Sequence, residues 1–190
     1  MVHVPASPAL RLAAAAGMAA LAAGCSSSGS PAAGASASHA APPSHAAPVT
    51  MKLTSSAFKD GGTIPKLYSC DGQGISVPLS WSGAPKGTAW FAVTVIDPAG
   101  PVTHWYVINI PAATTGIKQG AGRSTPGRQV SSWLGMCPSP SGGTDAYEFT
   151  VYAMPSSYKP LHTYAGYAED EDGLAANAIG IGQLTGYYKD

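Results

Sequence analysis

The sequence has little charge. Only 11% of its 190 residues are Asp, Glu, Lys or Arg, and the 10 basic residues balance the 10 acidic ones. A chain without net charge has no broad electrostatic field that would attract nucleic acid. We therefore expect no nucleic-acid partner.

The sequence also lacks the common local signatures of catalysis and metal binding. It contains no G-x-S-x-G, G-x-G-x-x-G or phosphate-loop motif, and no C-x-x-C or H-E-x-x-H spacing. Asp97 and His104 are candidates for acid–base chemistry, but no serine or cysteine nucleophile can be assigned to them. We expect neither an enzyme nor a cofactor or metal site.

Glycine and proline, in contrast, are abundant, with 23 Gly and 17 Pro. Both residues weaken helix interiors, whereas aromatic and β-branched clusters separated by Gly, Pro and Ser are typical of short strands joined by turns. This composition predicts a mostly β structure.

The N-terminus has the pattern of an export signal. Arg11 precedes an apolar run at residues 12–23 that is too short to span a bilayer as a mature helix. The run ends at Leu21-Ala22-Ala23-Gly24-Cys25, which resembles the lipobox of bacterial lipoproteins. We therefore expect residues 1–25 to be a signal peptide that ends at a lipidated Cys25, with the protein anchored on the extracytoplasmic face of the cell membrane. The alternative is a simple secretory signal that is cleaved nearby, with Cys25 incidental.

Residues 26–48 consist almost entirely of Ser, Ala, Gly, Pro and His. Such a segment cannot bury enough apolar surface to offset the entropy lost on ordering it. It is predicted to be a disordered tether between the anchor and a domain at residues 49–190.

The clearest strands of this domain are residues 89–96 and 104–110, both of which are almost continuously apolar. This pattern is typical of central strands that are covered on both faces. Their connection contains Pro98, Gly100 and Pro101 and is too short for a crossover helix, so we expect an antiparallel hairpin. The hairpin would bring Asp97 and His104 to the same edge of the sheet.

Three further elements follow. Residues 146–153 are predicted to form a third strong strand, and residues 183–188 a final one. Between them, the acidic run at residues 169–172 suits the start of a short helix, since negative charge complements the helix dipole there. A calcium site is the alternative for this run, but the ligand spacing of a calcium loop is absent.

Four stretches of the domain match one protein family in the same order and with similar spacing. They are Tyr68-Ser69-Cys70-Asp71-Gly72 followed by Pro78-Leu79-Ser80-Trp81, Asp97-Pro98-Ala99-Gly100-Pro101 followed by His104-Trp105, Gly135-Met136-Cys137-Pro138-Ser139-Pro140, and Tyr147-Glu148-Phe149. Together they resemble the signature of the phosphatidylethanolamine-binding proteins, whose bacterial members are called Raf kinase inhibitor-like proteins. The resemblance implies an antiparallel β-sandwich with a few short peripheral helices and a pocket that accepts phosphate-type anions.

Carried over residue by residue, the resemblance places the ligand site at Asp97, Pro101, His104, Gly135 and Tyr147. The residue types suit this role. A histidine can donate hydrogen bonds to an anion, and a neighbouring carboxylate tunes its charge. A glycine allows backbone N–H groups to approach a ligand closely.

The sequence departs from the family pattern at two positions near this site. Ala99 replaces the second acid of the aspartate motif, and Asp145 stands where the family has a histidine two residues before the pocket tyrosine. A carboxylate makes a pocket less favourable for a dianion. A zwitterion of the phosphoethanolamine type stays compatible, because Asp145 can meet its ammonium group while His104 meets its phosphate.

The chain has three cysteines. If Cys25 carries lipid, Cys70 and Cys137 remain as a pair in an oxidising compartment. Both belong to motifs that flank the family's pocket. Two interpretations stay open at this point: a disulfide, or two buried thiols that pack as small apolar groups.

Two functions follow from these observations. The first is a lipid-anchored, non-enzymatic domain that binds a small anion or a phospholipid head group. The second is an inhibitor or interaction protein that acts on an extracellular protease or a cell-envelope partner, because family members are associated with inhibiting kinases or serine proteases and an exported protein would not meet a cytosolic kinase. A third interpretation gives His104 a purely structural part, as a core histidine hydrogen-bonded to Asp97.

Overall fold

A computed structural model describes residues 46–100, 102–138, 143–159 and 167–189, all within one compact unit of the chain. The predicted signal peptide, Cys25 and the tether up to residue 45 lie outside the described residues. The described strands are β1 (Val49–Thr50), β2 (Lys52–Thr54), β3 (Gly62–Thr63), β4 (Leu79–Ser82), β5 (Trp90–Asp97), β6 (Val102–Pro111), β7 (Gly116–Ile117), β8 (Arg128–Ser131), β9 (Thr144–Met154) and β10 (Gly180–Lys189). One α-helix, α1 (Tyr167–Asn177), and two 3₁₀ turns, Lys66–Tyr68 and Ala121–Arg123, complete the described elements.

The strands form two sheets. The larger sheet has the order β1-β10-β9-β5-β6-β8, with β3 also paired to β10, and the smaller sheet has the order β2-β4-β7. The central pairs β5–β6, β5–β9 and β9–β10 are antiparallel, so the predicted hairpin is confirmed. The short strands β1 and β3 pair with β10 in parallel, which the prediction of an all-antiparallel arrangement did not include.

The larger sheet is covered on both faces, as the apolar character of its central strands predicted. One face carries Val93, Val95 and Phe149 and packs into the main core together with Leu79 and Trp81 of the smaller sheet. The opposite face carries a second apolar cluster, in which the strand residues Trp90, Tyr106 and Tyr152 pack with Leu174 of α1 and with Ala178, which directly follows the helix. Burial on both faces explains why β5 and β6 are nearly continuous apolar runs rather than alternating ones.

Strand β10 begins at Gly180, three residues before the predicted start at Gln183. The first part of the strand was not predicted because it contains glycines, and glycine is depleted in strands and usually marks a turn. Here the missing side chains make space for neighbours. A Cβ atom on Gly186 would lie 2.6 Å from side-chain atoms of both Phe58 and Ile64, and one on Gly180 would lie 2.8 Å from Cδ of Pro85.

Helix α1 confirms the predicted helix, although it begins at Tyr167, two residues before the acidic run, and ends at Asn177. In the described part of the chain, no helix is both long and apolar enough to cross a membrane.

Candidate functional site

Asp97 ends strand β5 and is 5% exposed. Its Oδ1 accepts hydrogen bonds from the backbone N–H groups of Ala99 at 2.9 Å and Gly100 at 3.3 Å. This is the local turn that aspartate commonly stabilises with its own side chain. The carboxylate therefore shapes the loop between β5 and β6. Pro101, predicted to be a site residue in this loop, lies outside the described residues.

His104 occupies a bulge in β6. Val95 pairs with Trp105 and Ile96 pairs with Thr103, so His104 is the extra residue between two registered pairs. A bulge turns a side chain away from the regular alternation of a strand. The His104 ring consequently lies edge-on against Tyr147, with the ring centres 5.0 Å apart and an interplanar angle of 82°.

The segment from Trp133 to Met136 runs beside His104. Leu134 donates its backbone N–H to the His104 carbonyl at 2.7 Å, and its own carbonyl lies 3.1 Å from His104 Nδ1. A carbonyl can only accept, so Nδ1 carries the proton that this hydrogen bond requires. The neutral ring thus has an acceptor nitrogen at Nε2.

Opposing effects act on the pKa of His104. The residue is 2% exposed, and this burial lowers its pKa below the ordinary value of 6.5. Hydrogen bonding to the Leu134 backbone, attraction by Asp97 and hydrogen bonding to the Gly135 backbone raise the pKa but do not cancel the effect of burial. Burial penalises the charged form of the ring, so an added negative charge nearby would be needed to favour it.

The hydrogen bond to Leu134 corrects one interpretation of the sequence. That interpretation makes His104 a core histidine bonded to Asp97, but the Nδ1 partner of His104 is a backbone carbonyl. Asp97 acts on the ring through charge, while its Oδ1 is bonded to the backbone of its own turn.

Gly135 lies directly after Leu134 and is half-buried. A Cβ atom there would lie 3.1 Å from the Cα of Gly74 and 3.4 Å from the Tyr68 carbonyl oxygen. The close backbone packing at this position accordingly favours a glycine. Whether it also meets a ligand stays a prediction.

A disulfide joins Cys70 to Cys137, with the two Cα atoms 5.4 Å apart. Around it, Cys70 donates its N–H to the Met136 carbonyl at 3.0 Å, and Met136 donates its N–H to the Tyr68 carbonyl at 3.2 Å. Of the two interpretations of these cysteines, the bridge is the one observed. It ties the Tyr68–Gly72 motif to the segment that orients His104.

Tyr147 and Asp145 lie two residues apart in β9 and therefore face the same side of the sheet. Tyr147 is fully buried, whereas Asp145 is half-buried and pairs across the sheet with Tyr188 of β10. The fold thus brings Asp97, His104 and Tyr147 together from three adjacent strands, with Asp145 further along β9. Cys25, the predicted lipidation site, lies outside the described residues.

Two neighbours of this cluster were not assigned to it from the sequence. Leu134 orients the histidine through its carbonyl, and a backbone role of this kind leaves no signal in residue type. Asp71 accepts a 2.8 Å hydrogen bond from Tyr188, the strand partner of Asp145. Its membership of the Tyr68–Gly72 motif could have pointed to it.

The described residues contain no group of three or more His, Cys, Asp or Glu side chains that could hold a metal ion. What the cluster offers chemically is one buried imidazole, one buried carboxylate and one tyrosine at the end of a sheet.

Comparison with known proteins agrees with this architecture. Residues 54–189 match the family model described as phosphatidylethanolamine-binding protein. A protein named UPF0098 from Methanothermobacter thermautotrophicus is 35% identical over 150 residues, which cover 73% of this chain and 99% of that protein. A Mycobacterium tuberculosis protein that is named as a lipoprotein, LppC, is 34% identical over 158 residues, covering 78% of this chain and 76% of the relative.

Among solved structures, Escherichia coli YbcL is similar with a TM-score of 0.65 and 31% identity, covering 74% of this chain and 98% of YbcL. YbcL is described as a new member of the mammalian PEBP family. The family match spans most of the chain and includes every described residue of the cluster. The chain therefore belongs to the phosphatidylethanolamine-binding protein family.

Proposed function

We propose that this domain binds a small anionic group, such as the phosphate of a head group, between Asp97, His104 and Tyr147, without catalysis. The observation that carries the proposal is the bulge that turns the buried His104 ring toward Tyr147 while a backbone carbonyl holds Nδ1. A bulge of this type interrupts the regular pairing of two strands, and such bulges are common beside functional sites.

Binding at this histidine is coupled to its protonation. With the Nδ1 proton engaged by Leu134, the ring can donate a hydrogen bond from Nε2 only as the imidazolium. An anion would supply the negative charge that favours this form, in addition to the attraction from Asp97. We therefore expect binding to tighten as the pH falls toward 6.

Asp145 favours a zwitterion over a free phosphate dianion. It is half-buried on the same strand face as Tyr147 and carries no positive charge to offer a phosphate. An ammonium group linked to the phosphate would instead be attracted by it. This argument extends the proposal to ligands of the phosphoethanolamine type.

The proposal includes membrane anchoring through Cys25. Its support is the lipobox-like sequence together with a relative that is named as a lipoprotein. A domain held near the outer face of a membrane would meet phospholipid head groups at high local concentration.

Calorimetric titration with phosphate and with phosphoethanolamine tests the binding proposal. We expect His104→Gln to weaken binding by about 10-fold or more, the usual effect of losing a charge-assisted hydrogen bond. Lys86→Gln is the matched control, because Lys86 precedes β5 at the end opposite to Asp97, roughly 20 Å away along the strand. Equal affinities of wild type and His104→Gln would refute the proposal.

The Asp145→Asn variant tests the choice of ligand, because the two ligands should respond in opposite directions. Removing the carboxylate should strengthen binding of phosphate and weaken binding of phosphoethanolamine. A change of the same sign for both ligands would contradict a role for Asp145 in recognising the ammonium group.

A further inference from the structure

A separate cavity of about 210 Å³ lies beside Trp133, and none of Asp97, His104 or Tyr147 lines it. Its lining includes Gln73, Ser76, Gly120, Gly122, Arg123 and Trp133. Sites for drug-sized molecules usually measure about 300–1,000 Å³, so a ligand here would be small.

The most informative residue of this cavity is Ser76. It is 1% exposed, and its hydroxyl has no hydrogen-bond partner among the described residues. Buried hydroxyl groups are nearly always satisfied, because leaving one unpaired costs free energy. Ser76 also belongs to the lining of the cavity, so a small molecule bound there is the candidate partner for this hydroxyl.

The charge of the cavity favours an anion. Arg123 is exposed and lines the cavity, and its guanidinium forms no ion pair or hydrogen bond with any residue that the structure describes. The lining includes no carboxylate. Guanidinium groups bind oxyanions through planar, charge-assisted hydrogen bonds. Gln73 adds an amide that can donate to the same group.

Hydrogen bonds and close packing hold the walls of the cavity in place. Gly120 donates its N–H to the Ser76 carbonyl at 2.9 Å, and Trp133 donates its indole N–H to the Gly74 carbonyl at 2.8 Å. Gly122 packs so tightly that a Cβ atom would lie 2.7 Å from that of Trp133. A preformed cavity needs little reorganisation to accept a ligand.

We propose that this cavity is a second binding site, which takes a small oxyanion of the phosphate or carboxylate type. Arg123 supplies the charge and the Ser76 hydroxyl supplies a hydrogen bond from the cavity wall. The site is independent of the one at His104, and its ligand meets a different set of residues.

Two-dimensional ¹H–¹⁵N NMR tests the proposal with inorganic phosphate, acetate and glycerol 3-phosphate as probes. We expect saturable shifts of the Trp133 indole signal and of the Gly120 and Gly122 amides. Comparing the three probes identifies whether the site takes a carboxylate, a free phosphate or an esterified one. The His104→Gln variant should give the same shifts, which separates this site from the one proposed above.

Two variants make the proposal falsifiable. Arg123→Gln should weaken binding by about 10-fold or more, with Lys86→Gln as a control that leaves it unchanged. Ser76→Ala should weaken binding several-fold while the melting temperature stays the same or rises, since the alanine removes an unpaired hydroxyl. Absence of saturable shifts with every probe, or shifts unaffected by Arg123→Gln, would overturn the proposal.

Discussion

His104 shows how one residue can be tuned by opposing forces. Burial lowers its pKa, whereas Asp97 and the backbone of the Leu134–Gly135 segment pull the pKa upward. At neutral pH the ring is therefore mainly neutral in the absence of a ligand. Residue type and motif pointed to this histidine and its aspartate, but the balance of these effects depends on groups up to 31 positions away in the chain.

The Asp97→Asn variant tests this balance. Asparagine keeps a side-chain oxygen for the turn to Ala99 and Gly100 but removes the charge that attracts the imidazolium. The pKa of His104 should fall further below 6.5, which NMR titration of the ring would measure. An unchanged or higher pKa would show that Asp97 does not act on the ring electrostatically.

The lowered pKa of His104 also makes the stability of the fold depend on pH. A histidine whose folded pKa lies below 6.5 stabilises the fold fully above pH 6.5, and this contribution is lost as the pH falls toward the folded pKa. The unfolded chain binds the proton more readily over that range. A bound anion would raise the pKa of His104 in the folded state. Bound phosphate should therefore reduce the loss of stability at low pH.

The disulfide is expected to stabilise the folded state. Cys70 and Cys137 are 67 positions apart, so their bridge closes a long loop in the unfolded chain. Replacing both with serine should lower the free energy of unfolding by up to about 4 kcal/mol on the chain-entropy model. Chemical denaturation measures this change.

Cys25→Ser serves as the control for the disulfide, since it removes a cysteine outside the bridge. Thiol titration of the denatured, non-reduced protein should find neither Cys70 nor Cys137 reactive. Two reactive thiols from these positions would contradict the bridge.

At the element scale, α1 is joined to the large sheet by a polar contact within an apolar interface. Glu171 accepts hydrogen bonds from Thr94 of β5 at 3.1 Å and from Tyr152 of β9 at 3.3 Å. Burial raises the pKa of Glu171 most, and the charges of Asp172 and Glu148 raise it further, against the lowering effect of the two hydrogen bonds. Burial, with the nearby Glu171 charge, also raises the pKa of Tyr152, which keeps its hydroxyl protonated as a donor.

The raised pKa of Glu171 predicts a pH-dependent attachment of the helix. The folded state holds the Glu171 proton more tightly than the unfolded state does, so this contribution to stability is present below pH 4.5 and is lost as the pH rises through the folded pKa. Glu171→Gln should therefore stabilise the protein at pH 7. We expect a higher melting temperature at pH 7, which thermal denaturation measures.

Asp172→Asn is the matched control for that variant, because it removes the same charge from an exposed position on the same helix. It should change the melting temperature less than Glu171→Gln does. The gain from Glu171→Gln should also disappear near pH 4. A gain that is equal at pH 4 and pH 7 would mean that ionisation of Glu171 is not its cause.

The elements themselves were predictable to different degrees. Strands β5, β6 and β9 are long and apolar, so their existence followed from the sequence alone. The bulge at His104 and the first three residues of β10 did not. Both depend on partners: the bulge on the register with β5, and the glycines at the start of β10 on side chains such as Met51 and Pro85 that fill the space beside them.

At the scale of the whole molecule, the family match covers the domain, while the predicted anchor and tether precede it. We propose that the predicted tether, as a coil of about 23 residues, would hold the domain roughly 25 Å from the anchor, within reach of head groups of the surrounding membrane.

Anchoring is tested by fractionation of cells that express the full chain. Wild type should partition with the membrane and Cys25→Ser with the soluble fraction, because two or more acyl chains bind a bilayer stably. Mass spectrometry of the mature N-terminus provides an independent readout. An unmodified N-terminus at another position would favour the simple secretory signal instead.

The sequence by itself determined the mostly β composition, the strong central strands and the family, while the ligand-binding role of the site residues stays a prediction. These properties follow from local composition, periodicity and motif order. Only the tertiary structure decided that Leu134 rather than Asp97 holds His104 Nδ1, that Cys70 is bridged to Cys137, and that Ser76 and Arg123 share a cavity. Each of these joins segments 30 or more residues apart, and such contacts are set by sheet register and loop packing, which no local pattern encodes.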